Sequence, residues 1–92
     1  MELTEIREML NALDDALSDL FTQRMALSEE VAYAKRLSGK PIRDPAREQA
    51  IIDRLTAKYD PKYARPIEDL YRTIFEISRN RQKELLDRDE DA

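Results

Sequence analysis

Residues 3 to 37 read LTEIREMLNALDDALSDLFTQRMALSEEVAYAKRL, and the spacing of the apolar residues in this stretch decides the fold. Positions 3, 10, 17, 24 and 31 hold Leu, Leu, Leu, Arg and Val, while positions 6, 13, 20, 27 and 34 hold Ile, Leu, Leu, Leu and Ala. A seven-residue recurrence of this kind draws one apolar seam along a helix, and no glycine or proline interrupts it. At about 1.5 Å per residue the helix is about 50 Å long. A compact domain of this size has a radius of gyration near ~12 Å, so the helix projects beyond its own globule. Its seam then needs a cover, and the economical cover is a second copy of the chain. The expected fold is all-α, with three helices, one of them very long, in an intertwined helical homodimer.

The rest of the chain punctuates cleanly. The stretch SGKPIRDPARE, residues 38–48, holds the single glycine and two of the four prolines of the 92-residue chain, and it breaks the first helix. Asp44-Pro45 reads as an N-cap followed by a proline at the first helical position, so a second helix is expected over about 45–59. Ile51, Ile52 and Leu55 would face inward, and Tyr59-Asp60-Pro61 would end it. A third helix is expected over about 64–86, with an inward stripe of Ile67, Leu70, Tyr71, Ile74, Ile77 and Leu85. The acidic tail, 87–92, is expected to fray. Residues 1–92 form one domain in this reading, with no strand pattern and no internal repeat.

Composition narrows the chemistry. Sixteen basic and 20 acidic residues give a net charge of −4, which argues against a nucleic-acid partner, since phosphate binding needs clustered surplus cation. The chain has neither cysteine nor histidine. Disulfides and thiolate chemistry are thereby excluded, and the commonest metal ligand and proton shuttle is missing. No metal and no cofactor is expected. No apolar run approaches the ~20 residues of a membrane span, and MELTEIRE opens directly on a charged helical pattern rather than a secretory signal. A cytoplasmic location fits these features.

Several polar residues sit where apolar ones belong. Arg24 occupies the seam, where a guanidinium is costly unless an anion meets it; an internal salt bridge would serve, and so would a bound anion. Lys35 lies eleven residues on, only ~20° around the helix, and shares that face. Two cations on one inward face with no carboxylate at matching seam positions resemble a receptor for an anion. Arg7 lies five turns away, too far for the same pocket within one chain. It is either a solvated surface residue or one that reaches the pocket of a partner. Ser78 and Gln82 form an i, i+4 pair beside the third helix's apolar stripe; they point inward, or belong to a face that Arg79 and Arg81 turn towards solvent. Asp44 has a sufficient role as a cap. Glu48 suits the N-terminal end of a helix dipole and Arg47 does not, which favours a ligand for Arg47.

Taken together, IREMLNALDDALSDLFTQRMALSEEVAYAK, KPIRDPARE and IFEISRNRQ resemble the all-α chorismate mutases over about residues 3 to 86. The resemblance rests on the joint order of a seam arginine, a lysine near the helix end, RD-x-x-RE and Ser-x-x-x-Gln. It implies an intertwined dimer with two equivalent active sites that rearrange chorismate to prephenate in aromatic amino-acid biosynthesis, without a cofactor. By motif position it implies that Arg24 binds one substrate carboxylate and that Arg7 of the other subunit binds the second. Lys35 and Gln82 would bond the ether oxygen of the breaking C–O bond. Asp44 and Glu48 would contact the ring-hydroxyl region, with Arg47 and Ser78 completing the wall; Arg43 matches the loop motif without a defined role. Two rivals stand beside this reading. An isochorismate pyruvate lyase resembles the same scaffold, and a non-catalytic helical dimerisation or regulatory module would fit the seam alone.

Overall fold

The computed structural model describes residues 1–91, with side chains through Arg88, and its described residues form three α-helices and one short 3-10 turn. Helix α1 spans Leu3–Ser38, 36 residues without a break. It ends in a glycine motif: Gly39 turns to φ 70°, its N–H donates to the Arg36 carbonyl at 3.3 Å, and the Lys40 N–H donates to the Lys35 carbonyl at 2.9 Å. This pair of bonds satisfies carbonyls that the helix end leaves open, and it requires a left-handed residue. A Cβ on Gly39 would meet nothing within 4 Å, so only the backbone opposes a side chain there. Gly39→Ala should therefore destabilise the fold by about 1 kcal/mol, measured as a lower urea midpoint at unchanged slope.

Helix α2 spans Pro45–Thr56. As expected, Asp44 caps it, its Oδ1 accepting from the Arg47 N–H at 3.1 Å. The helix ends three residues before the expected 59. The Lys58 N–H bonds the Leu55 carbonyl at 3.2 Å, a tightened last turn, and Asp60 is extended at ψ 135° ahead of Pro61, as a residue before proline prefers. Asp60 then caps the 3-10 turn Pro61–Tyr63, accepting from the Lys62 N–H at 3.0 Å. Helix α3 runs Ala64–Asp91, past the expected end at 86. Residues 87–91 carry no glycine or proline to stop it, and Arg88 in the last turn suits the negative end of the helix dipole. Ala92 lies outside the described residues.

The C-terminal half of α1 and all of α2 pack against α3. The core is small: Ala32 of α1, Ile52 of α2, and Ile74, Phe75 and Leu85 of α3. Tyr71 meets Phe75 edge-on, with ring centroids 5.8 Å apart. Ion pairs pin the layers, Arg81 of α3 to Glu29 of α1 at 2.8 Å and Arg79 of α3 to Glu48 of α2 at 2.5 Å. Two residues of the expected inward stripe, Leu70 and Ile77, are exposed, because α3 carries an apolar face wider than α1 and α2 together cover.

The projecting helix is present as its length requires. The chain measures 54 × 28 × 14 Å with a radius of gyration of 16.6 Å, well above the ~12 Å of a compact domain of this size. Every residue from Leu3 to Leu20 is exposed; Leu13, Leu17 and Leu20 show 64%, 57% and 63% of their surface. This seam is a large apolar stripe left open on a single chain.

Candidate active site

The three helices and the 38–44 connection enclose one side of a cavity of about 340 Å³, at the lower end of small-molecule sites. Seven of the eight residues proposed from the sequence line it: Arg24 and Lys35 from α1, Asp44 before α2, Arg47 and Glu48 within α2, and Ser78 and Gln82 from α3. They come from positions up to 58 apart in the chain, brought together because α1 and α2 pack on the same length of α3. Arg7 is exposed on the projecting half of α1. It lies 17 residues before Arg24, about 25 Å along the helix, and does not line this cavity. Arg43 is exposed and does not line it either.

Among the described residues Arg24 has no carboxylate partner. Its Nη1 donates to the Ser78 Oγ at 3.4 Å, and its guanidinium lies over the Phe75 ring, 5.5 Å from the centroid. A hydroxyl and a ring face orient the group and leave most of its five donors open. The internal salt bridge is therefore not how this chain accommodates its seam arginine. Lys35 is also without a carboxylate among the described residues. Its Nζ donates to the Ile42 carbonyl at 2.6 Å, a bond that spans the glycine turn and joins two residues of the cavity wall. Both cations are half-buried and both face the same space.

Ser78 and Gln82 point inward, each 6% exposed. Ser78 accepts from Arg24 and donates to the Met25 Sδ at 3.8 Å. The Gln82 Nε2 donates to the Ser28 carbonyl at 2.9 Å and lies 3.0 Å from the Ser28 Oγ. A carbonyl oxygen can only accept, so these contacts fix which end of the carboxamide faces α1. Arg79 and Arg81 do not turn this face to solvent: Arg79 pairs with Glu48, and Arg81 with Glu29 and Glu84. The Glu29 hydrogen bond, then the Glu84 one, holds the Arg81 guanidinium above its ordinary pKa.

Two polar residues of the cavity were not singled out in the sequence, Ser28 and Arg79. Ser28 was recoverable from helical arithmetic, since it stands four residues after the seam arginine and shares its face. It is 7% exposed and the hydroxyl is spent on Gln82. By contrast, Ser18, Thr22 and Ser38 return theirs to a carbonyl three or four residues back in α1. Ser28→Ala should leave Gln82 with the carbonyl alone, and turnover should fall by about threefold to tenfold. Steady-state kinetics and a thermal melt together check this; a lower kcat in a variant that still melts cooperatively, a few degrees lower, is the expected pair.

The charge balance follows. Arg24, Lys35, Arg47 and Arg79 face the cavity against Asp44 and Glu48, an excess of two positive charges in a chain whose net charge is −4. Leu27, Val31, Ile42, Ile51 and Phe75 supply the apolar walls. Among the described residues no group of three or more His, Cys, Asp or Glu is placed to hold a metal ion, and no helix is long and apolar enough to cross a membrane.

An all-α chain with a small cation-rich cavity between its helices is thus the class that fold and site define. The chain belongs to the chorismate mutase type II family, whose model matches residues 6–83. It is 38% identical over 86 residues to a bifunctional chorismate mutase/prephenate dehydratase of Escherichia coli, covering 91% of this chain and 22% of that protein. It is 39% identical over 54 residues to a chorismate mutase of Methanocaldococcus jannaschii, covering 59% of this chain and 54% of that one. A T-protein of Enterobacter agglomerans matches at 39% identity over 51 residues, 55% of this chain and 14% of that protein. The chain thus spans about a fifth of the E. coli relative.

Proposed function

We propose that this domain is a chorismate mutase, an isomerase that rearranges chorismate to prephenate in the synthesis of phenylalanine and tyrosine. The observation that carries the reading is that Arg24 and Lys35 face one cavity with no carboxylate to neutralise them, in a family member with a cavity charge excess of two. Chorismate is a dianion, and the cavity is short of two negative charges. In this reading the enzyme is a cytoplasmic intertwined homodimer, and its function calls for no cofactor, nucleic acid or membrane.

The rearrangement is pericyclic. One C–O bond breaks as one C–C bond forms, and no proton moves to or from the protein. The absence of histidine and cysteine costs nothing in such chemistry. The site has two tasks, to hold the substrate folded and to stabilise charge that grows on the ether oxygen. Arg24 takes one carboxylate with its open donors, and its fork suits bidentate binding. Arg7 of a second copy takes the other carboxylate. The exposed seam of α1 supports that second copy, because it must be covered and because Arg7 stands on the same projecting half of the helix. Lys35 presents a fixed ammonium to the ether oxygen and favours the transition state over the ground state. Gln82 is the second donor to that oxygen in this reading; its nitrogen rests on the Ser28 carbonyl and hydroxyl and donates to substrate by exchanging the hydroxyl contact. Asp44 and Glu48 accept from the ring-hydroxyl region, and Arg47 and Ser78 close the wall.

Purified protein incubated in parallel with chorismate and isochorismate tests the assignment. Prephenate from chorismate, followed by the loss of chorismate absorbance, is expected. Salicylate and pyruvate from isochorismate with chorismate untouched would assign the cavity to the lyase.

A further inference from the structure

Arg79 is a cavity residue that the mechanism above does not use. It follows Ser78 on α3, where sequence alone suggests a solvated arginine. Its Nη1 instead sits 2.5 Å from the Glu48 Oε2, with the two side chains only 24% and 14% exposed. Glu48 lies in the first turn of α2 and Arg79 on α3, so the bond joins two of the helices that line the cavity. It ties up one carboxylate oxygen and leaves Oε1 as the remaining acceptor.

The electrostatics of the cavity give the pair a purpose. A dianion entering the site would be repelled by a mostly buried carboxylate, and a buried charge without a partner is costly. Asp44 escapes this problem because it is exposed and is held by the α2 amide of Arg47. Glu48 has no such backbone partner, and Arg79 offsets its charge at contact distance. The guanidinium also fixes the carboxylate's rotation, so Oε1 is held rather than sampled.

We propose that Arg79 is a positioning residue that fixes the Glu48 carboxylate as the acceptor for the substrate's ring hydroxyl, and thereby makes turnover depend on that hydroxyl. This rests on the reading of the cavity as a chorismate site. Arg79 acts through Glu48 and not on a substrate carboxylate, which separates it from Arg24.

The test compares chorismate with its analogue in which hydrogen replaces the ring hydroxyl. For Arg79→Met, kcat/KM on chorismate should fall about tenfold, as for losing one charge-assisted hydrogen bond. On the deoxy analogue it should change by less than about twofold, since no hydroxyl needs the acceptor. In a Glu48→Gln background the same Arg79→Met change should cost less than about twofold on chorismate, because its target is gone. Equal losses on both substrates would overturn the proposal and make Arg79 a carboxylate contact or a structural tie. A loss that persists undiminished beside Glu48→Gln would overturn it as well, as would no loss at all. Arg79→Lys keeps the charge and carries the same comparison should the methionine variant fail to fold. Wild-type protein that converts neither substrate would instead overturn the chorismate reading, on which this inference stands.

Discussion

Lys35→Ala should lower kcat by about 10²- to 10³-fold, the range for removing one preorganised donor from a developing oxyanion. The expectation comes from how the ammonium is held. Lys35 is in the last turn of α1, where the helix dipole favours a cation. Its Nζ bonds the Ile42 carbonyl at 2.6 Å, so the glycine turn and the loop fix it before substrate arrives. No carboxylate spends its charge. A group prepared this way is worth most where charge appears only in the transition state, so kcat should fall more than KM rises. The fold should survive, because alanine is a good helix former and one charged hydrogen bond contributes about 2 kcal/mol. Circular dichroism melts beside the kinetics would verify that. Undiminished turnover by Lys35→Ala would remove the mechanism.

The second large effect is expected from a residue that touches nothing in its own cavity. Arg7→Ala should lower kcat/KM by on the order of 10²-fold, as for a lost charged hydrogen-bonding partner of a carboxylate. Within one chain this makes no sense, since Arg7 stands about 25 Å along α1 from Arg24. It makes sense across a dimer. Helix α1 exposes its apolar seam from Leu3 to Leu20, and a second copy that covers the seam brings the two projecting helices together. In the proposed dimer Arg7 would face the partner's cavity, where Arg24 would bind one carboxylate and the other would still need a cation. Because the seam is untouched by Arg7→Ala, light scattering should report the same dimer for the variant as for the wild type.

Much of this arrangement was legible in the residues, for identifiable reasons. The long helix could be read because a heptad recurrence without glycine or proline has one interpretation, and the start of α2 because Asp-Pro sets both cap and first turn. Arg24 and Lys35 were legible because one violates the seam and the other repeats its angle, whereas Asp44, Glu48, Ser78 and Gln82 entered only through the family resemblance of their joint order. What escaped was decided by tertiary partners. Arg79 has the same local signature as a solvated arginine, and only the approach of α2 reveals Glu48 beside it. Ser28 looks like any helical serine until α3 brings Gln82 within 3.0 Å. The ends of α2 and α3 were missed for a related reason: helix ends fray, and their last residues depend on single local bonds such as Lys58 to Leu55. Leu70 and Ile77 were read as inward because periodicity marks an apolar face without saying which chain covers it.

The claim at the centre of this account is that one catalytic site is assembled from two chains, and subunit hybrids test it most directly. Arg7→Ala leaves its own cavity whole but has no arginine to donate. Arg24→Leu ruins its own cavity but still donates Arg7. Unfolded together in equal amounts and refolded, the two inactive variants should form hybrid dimers as about half of the population, each with one intact site. Chorismate turnover should then recover to about a quarter of the wild-type rate per chain, while each variant refolded alone stays near or below about a hundredth of it. A mixture of well-folded dimers no more active than its parents would contradict the shared site and return Arg7 to the surface.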